Sequence, residues 1–211
     1  DQGLTEIINR TGWASLGVLP WFSDAGKLPA EDAADIKPKS AGQGFKIVVP
    51  QLSRIANFDD LDPLSCDPNV SVEIIPAGRP LPLDADLILI PGSKSTIGDL
   101  AFFRAQGWDI DLAAHIRAGG HVLGICGGYQ MLGREIIDAD GIEGAAGTYT
   151  GLGHLGVVTH MRPEKRLAQV QGTDIQSGHA VTGYEIHIGH TDGPDCTRAW
   201  LEFGSEPSGA A

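Results

Sequence analysis

The sequence predicts an α/β protein whose mostly parallel sheet is covered by helices on both faces. Two observations carry this expectation. Short, continuously apolar runs recur at residues 45–50, 70–75, 86–90 and 121–125, and a strand without polar alternation is one buried on both faces. Between the third and fourth runs, residues 97–118 place apolar side chains at helical spacing. Strand and helix signals that alternate in this way make parallel βαβ units.

The elements follow in chain order. Leu16–Gly17–Val18–Leu19–Pro20 fits one strand, but it leads into Lys37–Pro38–Lys39–Ser40–Ala41–Gly42–Gln43–Gly44, which has the composition of a linker. A boundary is therefore placed near residue 44, dividing 1–44 from 45–211. Phe45–Pro50 and Val70–Ile75 read as β-branched strands, and Asp86–Leu87–Ile88–Leu89–Ile90 as a third, closed by Pro91–Gly92. In the helical stretch 97–118, Leu100, Phe103, Leu112 and Ile116 would face inward, with Gly119–Gly120 as the stop. His121–Val122–Leu123–Gly124–Ile125 is the fourth strand and runs into Cys126, after which Tyr129–Gln130–Met131–Leu132–Gly133 can open a helix. Beyond about residue 147 glycines crowd in. The alternating segments 156–160 and 183–188 then read as later, partly antiparallel strands.

Bulk properties narrow the functional classes. A chain of 211 residues holds one substantial core and a short appendage. A formal charge of −12 and a pI near 4.8 argue against a nucleic-acid or anionic-membrane partner, whose phosphates would be repelled. No apolar run approaches the roughly 20 residues that span a bilayer. Residues 1–10 show no cationic segment before an apolar one, so no signal peptide is expected. Three widely spaced cysteines, Cys66, Cys126 and Cys196, form neither a disulfide framework nor a metal knuckle. A reduced, cytoplasmic setting is expected.

The chemistry concentrates at Cys126. Gly124–Ile125–Cys126–Gly127–Gly128 fits a G-x-nucleophile-x-G turn between a strand and a helix. The glycines allow tight backbone packing, and a helix N-terminus would favour thiolate over thiol. The Gly127 N–H, next after the nucleophile, is placed to donate to an oxyanion. The competing reading is a buried structural cysteine, which is also the default for Cys66 and Cys196. A thiol needs a base, and His187 lies downstream, as the order nucleophile-then-His requires. His190 is three residues further on, but no third ligand of sensible spacing makes the pair a metal site. His115, His121, His154, His160 and His179 default to structural or solvated roles. Lys94–Ser95 resembles the end of a phosphate-binding loop, yet the required earlier glycine is missing. Gly92, at the carboxyl end of a parallel strand, can instead offer its N–H to the crevice beside Cys126.

With these residues in view, the sequence resembles the class I, triad-type glutamine amidotransferase domains of the cobyric acid synthase family. Four segments carry the resemblance over residues 45–203. They are Arg54–Ile55–Ala56–Asn57–Phe58 with Asp60–Leu61–Asp62–Pro63–Leu64, Pro91–Gly92–Ser93–Lys94–Ser95–Thr96 with Asp99–Leu100, the nucleophile segment 124–133, and Tyr184–Glu185–Ile186–His187–Ile188–Gly189. Residues 12–32 resemble the end of that family's N-terminal ATP-dependent synthetase domain. Residues 1–44 are thus expected to be its remnant plus a linker, and the chain looks like a piece of a longer protein.

The resemblance implies a flavodoxin-like fold and a glutaminase. Cys126 would attack the glutamine carboxamide, His187 would move the protons, and Gly92 and Gly127 would donate to the oxyanion. L-Glutamine is the implied substrate, and the ammonia would go to the synthetase domain for amidation of the b, d, e and g carboxylates of adenosylcobyrinic acid a,c-diamide, a corrinoid. ATP and Mg are expected there, and no cofactor or metal in this domain. Most triad amidotransferases carry Glu two residues after the histidine, where this chain has Gly189; Glu185, on the same strand face as His187, is the candidate orienting carboxylate. Alternatives are a glutaminase of the cobyrinate a,c-diamide synthase type and an inactive amidotransferase-like binding module.

Overall fold

The computed structural model describes residues 2–18, 44–56, 58–204 and 206–211, and the chain divides into two compact units, Asp1–Asp32 and Ala33–Ala211. In the first unit, helix α1 (Gln2–Thr11) is braced by an Arg10–Glu6 ion pair of 2.6 Å, one turn apart. Residues 16–18 form no strand; the remaining part of the strand expected at 16–20, and most of the expected linker, lie outside the described residues.

The second unit is built on the sheet the sequence predicted. Strands β1 (Phe45–Pro50), β3 (Val70–Ile75), β4 (Leu87–Ile90) and β6 (His121–Gly124) pair in the order β3-β1-β4-β6, all parallel. Successive residues of β1 serve opposite faces. Val48 joins Ile88, Ile90, Leu100, Phe103, Trp108 and Leu112 in one cluster, while Ile47 and Val49 join Leu61, Val72 and Leu89 in another. Burial on both faces is the reason these strands lack polar alternation.

The helical stretch after β4 departs from expectation. It forms two helices, α3 (Thr96–Ala105) and α4 (Trp108–Arg117), separated at Gln106 and Gly107. Gly107 sits at φ 75°, a left-handed conformation that glycine adopts without penalty. Its N–H closes onto Arg104 O (2.9 Å), which ends α3. The kink drops Trp108 into the core edge-on to Phe102 and Phe103, with centroids 5.8 and 5.6 Å apart. The indole N–H reaches Arg79 O at 2.7 Å. Leu100, Phe103 and Leu112 are buried and Ile116 half-buried, all on the core side as expected.

Helix α5 (Gly127–Leu132) leads from β6 into a second sheet. There β7 (Glu135–Asp138), β8 (Gly147–Thr150), the long hairpin β9 (Val158–Asp174) and β10 (Ala180–Asp192), and the short β11 (Leu201–Phe203) and β12 (Glu206–Ser208) join. Residues 158–160 of the segment expected at 156–160, and all of 183–188, thus belong to the antiparallel β9–β10 pair. Ile136, Met161 and Ile188 tie this sheet's base into the first core cluster. A third, two-residue ladder joins β2 (Ile55–Ala56) to β5 (Gly92–Ser93). Among the described residues no helix is long and apolar enough to cross a membrane.

Phe103 is fully buried and Ile110 is 70% exposed. Phe103→Ala is expected to lower the unfolding free energy by about 3–5 kcal/mol, and Ile110→Ala by less than about 0.5 kcal/mol, in urea titrations of the same preparation.

Candidate active site

The site is made where β6 ends. Cys126 stands at φ 51°, ψ −112°, the one non-glycine residue with positive φ among the described residues. The Gly128 N–H donates to Ile125 O at 2.8 Å, so residues 125–128 close a type II′ turn with Cys126 in the position glycine normally fills. Holding a side chain there costs on the order of 1–3 kcal/mol. The surroundings impose it. Ile125 N–H is fixed to Ile90 O at 3.0 Å, and a side-chain carbon on Gly128 would stand 2.1 Å from that same oxygen. One on Gly124 would meet the Gly128 carbonyl at 2.7 Å. Backbone therefore packs on backbone, and the cysteine is lifted out of the turn.

The loop after β4 lies against this turn. A side-chain carbon on Gly92 would lie 3.7 Å from Cys126 Cβ and 3.3 Å from Ala56 O. The corresponding position on Gly127 lies 3.1 Å from Ser93 N and Cβ, and 3.2 Å from Thr96 Oγ1. Gly92, Gly127 and Cys126 are thus brought together.

The thiol does not match the expectation of a ready thiolate. Burial pushes the Cys126 thiol above its ordinary value. The Gly127 N–H acts in the opposite direction, and the charges of Asp60 and Glu143 push it further up. The six-residue α5 offers too little dipole to outweigh desolvation beside two carboxylates. Deprotonation has to be assisted.

The histidine reaches the site from β10. Cys126 Sγ donates to Ile186 O at 3.6 Å, which sets the thiol beside the residue preceding His187. The imidazole itself is engaged elsewhere, with Nδ1 at 2.9 Å from Gly189 O and Nε2 at 2.9 Å from Glu185 Oε1. Glu185 therefore touches His187, as strand alternation predicted. The carbonyl of Gly189, whose position lacks the usual carboxylate, takes the other ring nitrogen. Gly189 has φ 91° and marks a register shift: Ile188 faces Lys165 while His190 faces His160. With both ring nitrogens facing oxygen acceptors, neither is turned to the thiol in this arrangement.

Several contributors carried no assigned role in the sequence. Gln130, buried one turn after Cys126, donates from Nε2 to Ile188 O (3.1 Å) and accepts at Oε1 from Thr96 Oγ1 (3.2 Å), linking α5, α3 and β10. Its signal was a polar residue amid Tyr129, Met131 and Leu132. Glu143 Oε2 accepts from the Ile97 N–H at 2.9 Å. Arg54 has its backbone N–H on Asp99 and an exposed side chain, and Asn57 lies outside the described residues. Cys66 is exposed, and Cys196 lies 3.9 Å from the Tyr129 hydroxyl, so neither joins the site.

Residues 46–210 match the CobB/CobQ-like glutamine amidotransferase domain. The chain belongs to this family. Cobyric acid synthase of Ruegeria sp. (strain TM1040) is 59% identical over 210 residues, covering all of this chain and 43% of that protein. The Paracoccus denitrificans enzyme of the same name is 57% identical over 210 residues, with the same coverage. The chain thus spans less than half the length of these relatives. Among solved structures, PurLQS from Thermotoga maritima aligns with a TM-score of 0.57 at 15% identity, over 78% of this chain and 77% of that one. A structure titled as a glutamine amidotransferase aligns at 0.52 and 16% identity, over 78% and 82%. These two share the fold. The chain is a glutamine amidotransferase domain of the CobB/CobQ-like family, with the α/β architecture read from its strands.

The raised thiol predicts that alkylation of Cys126 by iodoacetamide climbs with pH to a midpoint above that of an ordinary thiol. Glu143→Gln keeps an acceptor for the Ile97 N–H but removes the charge, and should move that midpoint down. Intact-mass kinetics across a pH series measures both; an upward shift in the variant would contradict the electrostatics.

Proposed function

We propose that this domain hydrolyses glutamine through a Cys126 thioester and supplies ammonia to the rest of a cobyric acid synthase. The observation that carries the reading is the strained cysteine, set against the Gly92 loop and beside a histidine-bearing strand. Sγ adds to the carboxamide carbon of glutamine as its proton passes to His187. The oxygen becomes an oxyanion facing the Gly127 and Gly92 N–H groups. Collapse breaks the C–N bond, His187 returns the proton to the leaving ammonia, and the γ-glutamyl thioester remains. Water then releases glutamate and regenerates the thiol.

For His187 to accept the proton, one ring nitrogen must leave its present partner. Release of Nδ1 from Gly189 O, with Nε2 kept on Glu185, yields an oriented base. Glu185 is then the carboxylate that aligns the imidazole. The relatives' name and the resemblance support ammonia transfer to an ATP- and Mg-dependent synthetase portion that amidates the b, d, e and g carboxylates of adenosylcobyrinic acid a,c-diamide. That portion lies outside this chain. A cytoplasmic setting accords with three unpaired cysteines.

Glutamate release by the full-length enzyme, measured with its corrinoid and ATP present, tests the assignment. Cys126→Ala should reduce release to the level without enzyme. His187→Ala should lose roughly 10²–10⁴-fold in kcat, and Glu185→Gln should lose less than His187→Ala. A Cys126→Ala enzyme as fast as wild type would exclude the thioester route.

A further inference from the structure

One buried carboxylate outside the reacting groups holds both sides of the loop that carries Gly92. Asp99, in the first turn of α3, is fully buried. Its Oδ1 accepts from Ser53 Oγ at 2.5 Å, and its Oδ2 accepts from Ser93 Oγ at 2.6 Å. The Arg54 N–H points between them, 3.2 Å from each oxygen. Ser93 Oγ accepts in turn from the Ser95 N–H at 2.9 Å.

The placement of these donors matters more than their number. Ser53 and Arg54 lead into β2, and Ser93 ends β5. These strands form the two-residue ladder with Ile55 opposite Ser93 and Ala56 opposite Gly92, extended by the Lys94 N–H on Arg54 O at 2.9 Å. So short a ladder has little stability of its own. Asp99 grips both of its strands at one end. Ser93 is also the residue against which Gly127 packs, with its N and Cβ 3.1 Å from where a Gly127 side chain would begin. A shift of Ser93 therefore moves the Gly92 amide through the chain and the Gly127 amide through contact.

We propose that Asp99 is the positioning residue of the oxyanion pocket, acting through Ser93. The proposal rests on the reading of Gly92 and Gly127 as oxyanion donors. Asp99 touches no reacting atom; it fixes where the two amides stand relative to Sγ. A displacement of about 1 Å at such donors lowers turnover by around 10²-fold, whereas attack of the thiolate on the iodoacetamide carbon, which expels iodide, requires no oxyanion donor.

Asp99→Asn, of equal shape, removes the charge and one accepting oxygen. The serine that faces the amide nitrogen must turn its hydroxyl to accept, and the Arg54 N–H keeps one oxygen instead of two, so the charge-assisted grip on the ladder is weakened. In the full-length enzyme, Asp99→Asn and Ser93→Ala should each lower kcat for glutamate release by about 10- to 100-fold. KM should change by less than about threefold, because the lost stabilisation belongs to the transition state. The pH profile and rate of Cys126 alkylation by iodoacetamide should stay at the wild-type values. The double variant should be no slower than the slower single one, because both act through one link. An unchanged kcat in Asp99→Asn would overturn the proposal. So would a matching fall in alkylation and turnover, which would mark a general loosening of the elbow. A Cys126→Ala enzyme that still releases glutamate would instead sink the glutaminase reading itself, whatever Asp99→Asn does.

Discussion

The backbone of Cys126 is held where an L-residue does not rest by choice, and the remainder of the site is arranged around that constraint. A φ of 51° with ψ of −112° is sustained because the flanking amides are already committed, Ile125 N–H to Ile90 O and Gly128 N–H to Ile125 O. The parallel sheet makes this possible. β6 runs in register with β4 from Leu87↔His121 to Ile90↔Gly124, so the nucleophile leaves its strand next to the loop that leaves β4. Two glycines let the turn lie on backbone oxygen with no room for a side chain. The fold absorbs a strain on the order of 1–3 kcal/mol and projects a half-buried sulfur from the turn.

Cys126 and His187 are delivered by different sheets. Cys126 belongs to the parallel sheet, whereas His187 belongs to the long β9–β10 hairpin. Their junction is made by Gln130, which reaches from α5 to Ile188 O, and by the thiol on Ile186 O. Meanwhile the imidazole rests between Gly189 O and Glu185. The thiol is raised by burial, and both imidazole nitrogens face oxygen acceptors. On the proposed glutaminase reading, the imidazole would have to leave Gly189 O before it could take the thiol proton.

The legible part of this protein was the part governed by short-range pattern. The four parallel strands could be read because burial on both faces removes polar alternation from 45–50 or 86–90. The elbow could be read because its glycines must stand at fixed offsets from Cys126. The helical spacing across 97–118 was legible, but not the break at Gly107, where Trp108 packs against Phe102 and Phe103. The pull on the thiol was not legible because its burial, and after that the approach of Asp60 and Glu143 from far along the chain, are made by the fold. Asp99 was hidden for a similar reason. Two of its donors lie 46 and 45 residues away, and in the sequence it reads as an ordinary acid in a helix's first turn. Gly189 could be noted as a missing carboxylate, but that its carbonyl would hold the imidazole depends on the register shift between β9 and β10.

A covalent γ-glutamyl group on Cys126 is the central claim, and it can be observed directly. Full-length enzyme incubated with glutamine, quenched in acid during turnover and cleaved to peptides should carry one γ-glutamyl group on the peptide containing Cys126. Brief treatment with hydroxylamine should remove it, as expected of a thioester. Glutamate released with no adduct at any time, or an adduct borne by Cys66 or Cys196, would contradict the account.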